Sequence, residues 1–142
     1  MIRVAPVVVR EALRSTVFRT GDADLDSLLD VARAKYLDPD VNIRKESLEK
    51  LWDAWERLKT IEPGKDKKES TKALLDKAGS EVAFRQVLER EANELTGIGN
   101  TFRIRHSETN KVPVKVSEHI DYLFHRTFSL IRLLLRATGR GG

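Results

Sequence analysis

Two arginines, a histidine, a carboxylate and two amides are crowded into one stretch, Gly99-Asn100-Thr101-Phe102-Arg103-Ile104-Arg105-His106-Ser107-Glu108-Thr109-Asn110. A guanidinium holds a phosphate through two parallel hydrogen bonds and neutralises charge as it develops. An imidazole takes up and releases a proton near neutral pH. Together these groups suffice for metal-independent cleavage of RNA. A base removes the proton from a ribose 2′-hydroxyl, a cation stabilises the crowded phosphate, and an acid protonates the leaving oxygen. The stretch holds one histidine, so two copies facing each other across a dimer axis supply both acid and base. The candidate catalytic residues are Arg105, His106, Arg103, Asn100 and Glu108. The candidate nucleic-acid contacts are Arg103, Arg105, Asn110, Lys111 and Lys115. A plainer reading stays open beside this one. In it Arg105 pairs with Glu108 or with a carboxylate on another helix, and His106 is a partly buried, satisfied side chain.

Other groupings carry less. His119 and His125 are six residues apart and do not share a helix face well, while Asp121 and His125 have the spacing of a structural pair. No HExxH, glycine-rich phosphate loop or EF-hand pattern occurs, and Asp38-Pro39-Asp40-Val41-Asn42 lacks the glycine and closing Glu of a calcium loop. Trp52 and Trp55 sit on an apolar stripe, which makes them core residues rather than platforms for bases. Neither a metal nor a cofactor is expected.

The elements that must position these groups are helices. Leu25, Leu28, Leu29, Ala32 and Tyr36 recur at helical spacing between Gly21-Asp22 and Asp38-Pro39. Leu48, Leu51, Trp52, Trp55 and Leu58 form the clearest stripe, ending near Glu62-Pro63-Gly64. Asp66 and Glu69 have capping-box spacing before a short helix with the face Thr71, Leu74, Leu75 and Ala78. Gly79 is expected in the left-handed position and Ser80 as the cap of the next helix. That helix carries Val82, Phe84, Val87, Leu88, Ala92 and Leu95, and Gly97 and Gly99 are expected to end it.

Between Thr101 and Val116 there is no clean period, and Pro113 argues against a central strand. Ser117 is the expected cap of a final helix reaching about Ala137. This helix is apolar around much of its circumference, so it is either central to the bundle or also buried in a dimer. Phe124, Phe128, Ile131 and Leu134 are the candidate dimer contacts. The expectation is an all-α, mostly antiparallel bundle of five or six helices over residues 21–138. It is preceded by a segment, 1–20, with a helix starting near Pro6, and followed by a disordered tail, 139–142.

At 142 residues the chain fits a single core, and its 34% charged and 40% hydrophobic residues fit a folded soluble protein. It has no cysteine, which excludes a disulfide scaffold and a thiolate zinc site. With no signal-peptide order and no apolar run long enough to span a bilayer, the default expectation is cytoplasmic, with no membrane contact. From Thr101 onward eight basic residues face three acidic ones, a net of +5, whereas the first hundred residues hold 18 basic and 19 acidic, a net of −1. This asymmetry is a hint of a polyanionic partner, or it merely keeps an apolar helix soluble. The loose start also suits a fragment of a longer protein.

The order of helices, the segment Gly-Asn-Thr-Phe-Arg-Ile-Arg-His-Ser-Glu, and a last helix with Asp121-Tyr122-Leu123-Phe124-His125-Arg126 together resemble the HEPN superfamily. In particular the sequence is similar to HEPN domains of bacterial abortive-infection and related defence proteins. It covers roughly Leu25 to Arg136 and includes the block Leu51-Trp52-Asp53-Ala54-Trp55-Glu56-Arg57-Leu58-Lys59. The resemblance implies a helical bundle, a homodimer with the two polar motifs facing each other in a basic cleft, and metal-independent ribonuclease activity on RNA. It also leaves room for a neutralising or sensor partner. The family's motif is an Arg, a polar residue, a few residues and a His, and it fits this sequence in two ways. Either Arg105-His106 supplies the first two positions and Asn110 stands where the His belongs, or His106 is the closing His and Asn100 stands where the Arg belongs. In the second fit Arg103 or Arg105 substitutes. The alternative implied by either departure is a non-catalytic RNA-binding or dimerisation module.

Overall fold

The computed structural model describes residues 17–104 and 108–141, apart from the side chain of Arg103. Among them the chain forms five helices: α1 (Ala23–Tyr36), α2 (Val41–Leu58), α3 (Lys67–Ala78), α4 (Val82–Thr101) and α5 (Ser117–Ala137). Two very short strands, β1 (Phe102–Arg103) and β2 (Val112–Pro113), pair in parallel between α4 and α5. The all-α bundle read from the sequence is thus the architecture found. The helix expected near Pro6 lies outside the described residues.

Carboxylates start most of the helices. Asp22 accepts from the Leu25 N–H at 2.8 Å, Asp40 from Asn42 at 2.8 Å and Asp66 from Glu69 at 2.9 Å. Glu69 reaches back to the N–H of Lys65 at 3.0 Å, one residue earlier than in the usual reciprocal cap. Ser80 does not cap α4. Glu81 does, because its two oxygens satisfy two orphan donors, Ala83 N–H at 3.0 Å and Phe84 N–H at 2.7 Å. Gly79 is extended, with φ −134° and ψ 92°, not left-handed. Gly97 and Gly99 do not end α4, which continues to Thr101. A Cβ on Gly99 would lie 2.6 Å from Nε1 of Trp52, so this glycine serves the close approach of α4 to α2.

Contacts between helix ends give their directions. Arg57 near the end of α2 pairs with Asp22 at the start of α1, at 2.6 Å, so these two run antiparallel. Glu91 pairs with Arg126 by two donors, while Val87 faces Leu133 and Ile98 faces Leu123, so α4 and α5 are antiparallel as well. The pair α2 and α5 is parallel, an exception within a mostly antiparallel arrangement. Arg44 near the start of α2 reaches Ser117 at the start of α5, and Glu62 after α2 meets Arg140 after α5 at 2.7 Å.

The core forms where α1, α2 and α5 meet, with α3 covering one end. Every member of the α2 stripe, Leu48, Leu51, Trp52, Trp55 and Leu58, is buried. Each such burial contributes about 1.5–3 kcal/mol before entropy is counted. Tyr36 stacks flat on Phe124 with ring centroids 3.8 Å apart, and Phe124 stacks on Phe128. Phe124, Phe128, Ile131 and Leu134 are all at most 5% exposed within a single chain, which corrects their assignment to a dimer interface. The surplus apolar surface of α5 is used centrally in its own bundle.

Residues 139–141 are placed rather than disordered. Gly139, at φ 75°, turns the chain so that its own N–H donates to the Arg136 carbonyl and the Arg140 N–H donates to that of Leu135 at 2.7 Å. The Arg140 guanidinium and Lys77 then clamp the buried carboxylate of Glu62 at 2.7 and 2.8 Å. Burial alone would raise the Glu62 pKa, but the two cations hold it below its ordinary value. No helix among the described residues is long and apolar enough to cross a membrane.

Candidate functional site

The polar segment singled out in the sequence leaves the end of α4 and returns to the start of α5. At its near end Phe102 turns extended, its N–H bonded to the Ile98 carbonyl, and β1 begins. The register Phe102 to Val112 and Arg103 to Pro113 closes the loop on itself. An edge position suits Pro113, which has no N–H to donate. Ile104 and Val114 are buried and pin both arms of the loop to the bundle. The Lys111 ammonium donates to the carbonyl of Asn100, and the Lys111 N–H to that of Glu108 at 3.1 Å.

The far end is anchored by a buried arginine that the sequence reading missed. Arg44 is 1% exposed; it donates to the Pro39 carbonyl at 2.9 Å and to Oγ of Ser117. Ser117 therefore serves as an acceptor for Arg44. It does not cap α5, whose N-cap position is Val116, with no side-chain bond. The signal for Arg44 was present, since it lies four residues before Leu48 on the apolar stripe of α2, a register where a cation must be internally satisfied.

Beside this loop the first half of α5 lines two neighbouring depressions. One, of about 230 Å³, lies among Ile98, Phe102, Pro113, His119, Tyr122 and Leu123. The other, of about 310 Å³, lies among Glu118, Asp121, Tyr122 and His125. Tyr122 borders both. Beneath the second, the buried hydroxyl of Tyr36 donates to Oδ1 of Asp121 at 3.1 Å, and the His125 ring stands edge-on to the Tyr36 ring with centroids 6.2 Å apart. Asp121 and His125, read from the sequence as one helical pair, thus belong to a cluster that includes a tyrosine from α1. Groups able to exchange protons or hydrogen bonds are gathered here around an open surface.

The expected site residues distribute as follows. Arg105 and His106 lie outside the described residues, as does the Arg103 side chain, although the Arg103 backbone belongs to β1. Asn100 is exposed on the last turn of α4, and Glu108 is half-buried where the chain resumes. Asn110 and Lys115 are exposed, as a nucleic-acid contact requires, while the Lys111 head group is engaged within the loop. Trp52 and Trp55 are core residues, at 2% and 0% exposure. Among the described residues no cluster of three His, Asp or Glu side chains could hold a metal ion. Comparison with family models, with curated proteins and with solved structures yields no match to this chain.

Proposed function

We propose that this chain is a HEPN-like domain of bacterial defence or toxin type that cleaves RNA as a homodimer without a metal ion. The observation that carries the reading is the mounting of the polar segment. Its two arms are fixed by buried Ile104 and Val114 and by the Lys111 clasp on Asn100, on a rigid all-α scaffold. Functional loops on rigid scaffolds are mounted this way. In the proposed reaction His106 takes the proton of a ribose 2′-hydroxyl. The 2′-oxygen attacks phosphorus, and Arg105 holds the phosphate oxygens as charge builds. The mate's imidazole protonates the departing 5′-oxygen, leaving a 2′,3′-cyclic phosphate and a 5′-hydroxyl. With Phe124, Phe128, Ile131 and Leu134 internal, the surface for the mate is the exposed apolar group beside the loop, Val112, Val116 and Tyr122.

The test is cleavage of a labelled RNA by the full chain in the presence of a chelator, with the product ends identified. Cyclic-phosphate ends should appear, and Arg105→Ala and His106→Ala should each lower the rate by about a hundredfold or more. Undiminished cleavage in both variants sinks the assignment. RNA binding with no turnover in the wild type would instead make the domain a non-catalytic binder.

A further inference from the structure

A wide groove of about 840 Å³ runs between α3 and α4, away from the loop just described. Lys65, Lys67, Lys68 and Lys72 form one wall, Arg85 stands on the other, and buried Lys59 lies between them, donating to Thr96 at 3.3 Å. Three carboxylates also line it, Asp66, Glu69 and Glu89. Two of these are already committed to backbone donors, Asp66 to the Glu69 N–H and Glu69 to the Lys65 N–H. Glu56 holds Lys59 and Lys67 and Asp76 holds Lys72 and Arg85 from outside the lining, while Glu69 pairs with Lys65 at 3.8 Å and Glu89 with Arg85 at 3.4 Å. The pairs of Lys65 and Lys72 are the solvated ones, of the kind that exchange at little cost. Lys68 has no carboxylate partner among the described residues.

The placement of these lysines goes against local helix stability. Lys67 and Lys68 occupy the first turn of α3, where the helix already presents positive charge and a further cation is unfavourable. Lys67 is compensated by Glu56, but Lys68 has no such partner among the described residues, and a cation left so at this place points outward, to a ligand. The lining contains no aromatic side chain, so bases find nothing to stack on. What it offers besides cations is hydroxyls and an amide, from Thr71, Thr96 and Asn93. These suit phosphate oxygens and sugar hydroxyls.

We propose that the groove between α3 and α4 binds the sugar–phosphate backbone of nucleic acid, independently of sequence. This site is separate from the candidate cleavage loop, and its existence does not depend on cleavage. The experiment is a fluorescence-anisotropy titration of the full chain with a short labelled RNA hairpin and with duplex DNA of the same sequence, over a range of salt. Both probes should bind at low salt, with affinity falling as salt rises. The double variant Lys65→Glu/Lys68→Glu changes exposed side chains. It should weaken binding about tenfold or more and flatten the salt slope by about two. Lys65→Gln/Lys68→Gln should lose less. Equal binding of the two probes identifies phosphate as the feature read, and tighter binding of RNA identifies the 2′-hydroxyl. No binding at low salt overturns the proposal. So does a groove variant with unchanged affinity and slope, above all if Lys115→Glu, in the loop, abolishes binding.

Discussion

Helices α4 and α5 have nearly the same length, 20 and 21 residues, and lie side by side, yet they are used in opposite ways. α5 buries nine side chains, from Ile120 to Leu135, against α2, α3 and Tyr36 of α1. α4 buries three, Leu88, Ala92 and Leu95, and leaves Val82, Phe84 and Val87 in solvent. Packing fixes one broad side of α5. On α4 it fixes one narrow line, so the flanks are left to serve other purposes. One flank forms a wall of the basic groove through Arg85 and Asn93, and the other borders an apolar depression with Leu130 and Leu133. α5 thus holds the fold together with one side and lines depressions with the other, whereas α4 is given mostly to surface.

That division is broken most directly by truncating α5 at its centre. Phe124→Ala removes a ring stacked on both Tyr36 and Phe128 and should cost about 3–5 kcal/mol in denaturant unfolding. A loss below about 1 kcal/mol would mean that α5 is not the keystone.

A smaller effect is expected where the end of α5 is fastened. Arg140→Ala leaves the buried Oε1 of Glu62 without its guanidinium and should cost about 1–3 kcal/mol at neutral pH. Glu62 has a depressed pKa in the folded state, so its stabilisation is present above its ordinary value near 4.5 and is lost as pH falls through the folded value. The gap between wild type and variant should therefore close in acid, and a gap constant down to the acid limb would exclude Glu62 as its source.

The smallest effect belongs to α4. Val87→Ser should change stability by less than about 0.5 kcal/mol, because this side chain is already solvated. A measured change within that bound would sharpen the contrast between the two helices. A loss of several kcal/mol would erase it.

What the sequence disclosed follows the range of the forces involved. The stripe Leu48 to Leu58 and the caps Asp22 and Asp66 are local features, written in spacing and in side-chain oxygens, and they appear as read. The continuation of α4 through Gly97 and Gly99 was hidden, because the reason for Gly99 is an indole ring on α2. The cap at Glu81 was missed because Ser80 is the commoner choice by type, whereas the longer Glu81 side chain sets a separate oxygen against each of two donors. In the candidate site the polar segment stood out by composition. The union of Asp121 with Tyr36, 85 residues earlier, is a tertiary fact that no local period encodes. The assignment of Phe124 and Leu134 to a second copy had the right physics, surplus apolar surface, but α1 and α2 already supply the cover.

The close approach at Gly99 has an optical consequence. The Trp52 indole, 2% exposed, donates to the Leu95 carbonyl at 3.4 Å and bears directly on Gly99, the residue before Asn100. Any ligand that tugs the clasped loop shifts the wall against which this fluorophore rests. Among the described residues the Trp55 indole nitrogen finds no acceptor, and Trp55→Phe keeps an aromatic face beneath the Lys59 ammonium, so the second emitter can be removed without breaking a hydrogen bond. The remaining emission then becomes a label-free gauge, already built into the molecule, of events at the loop.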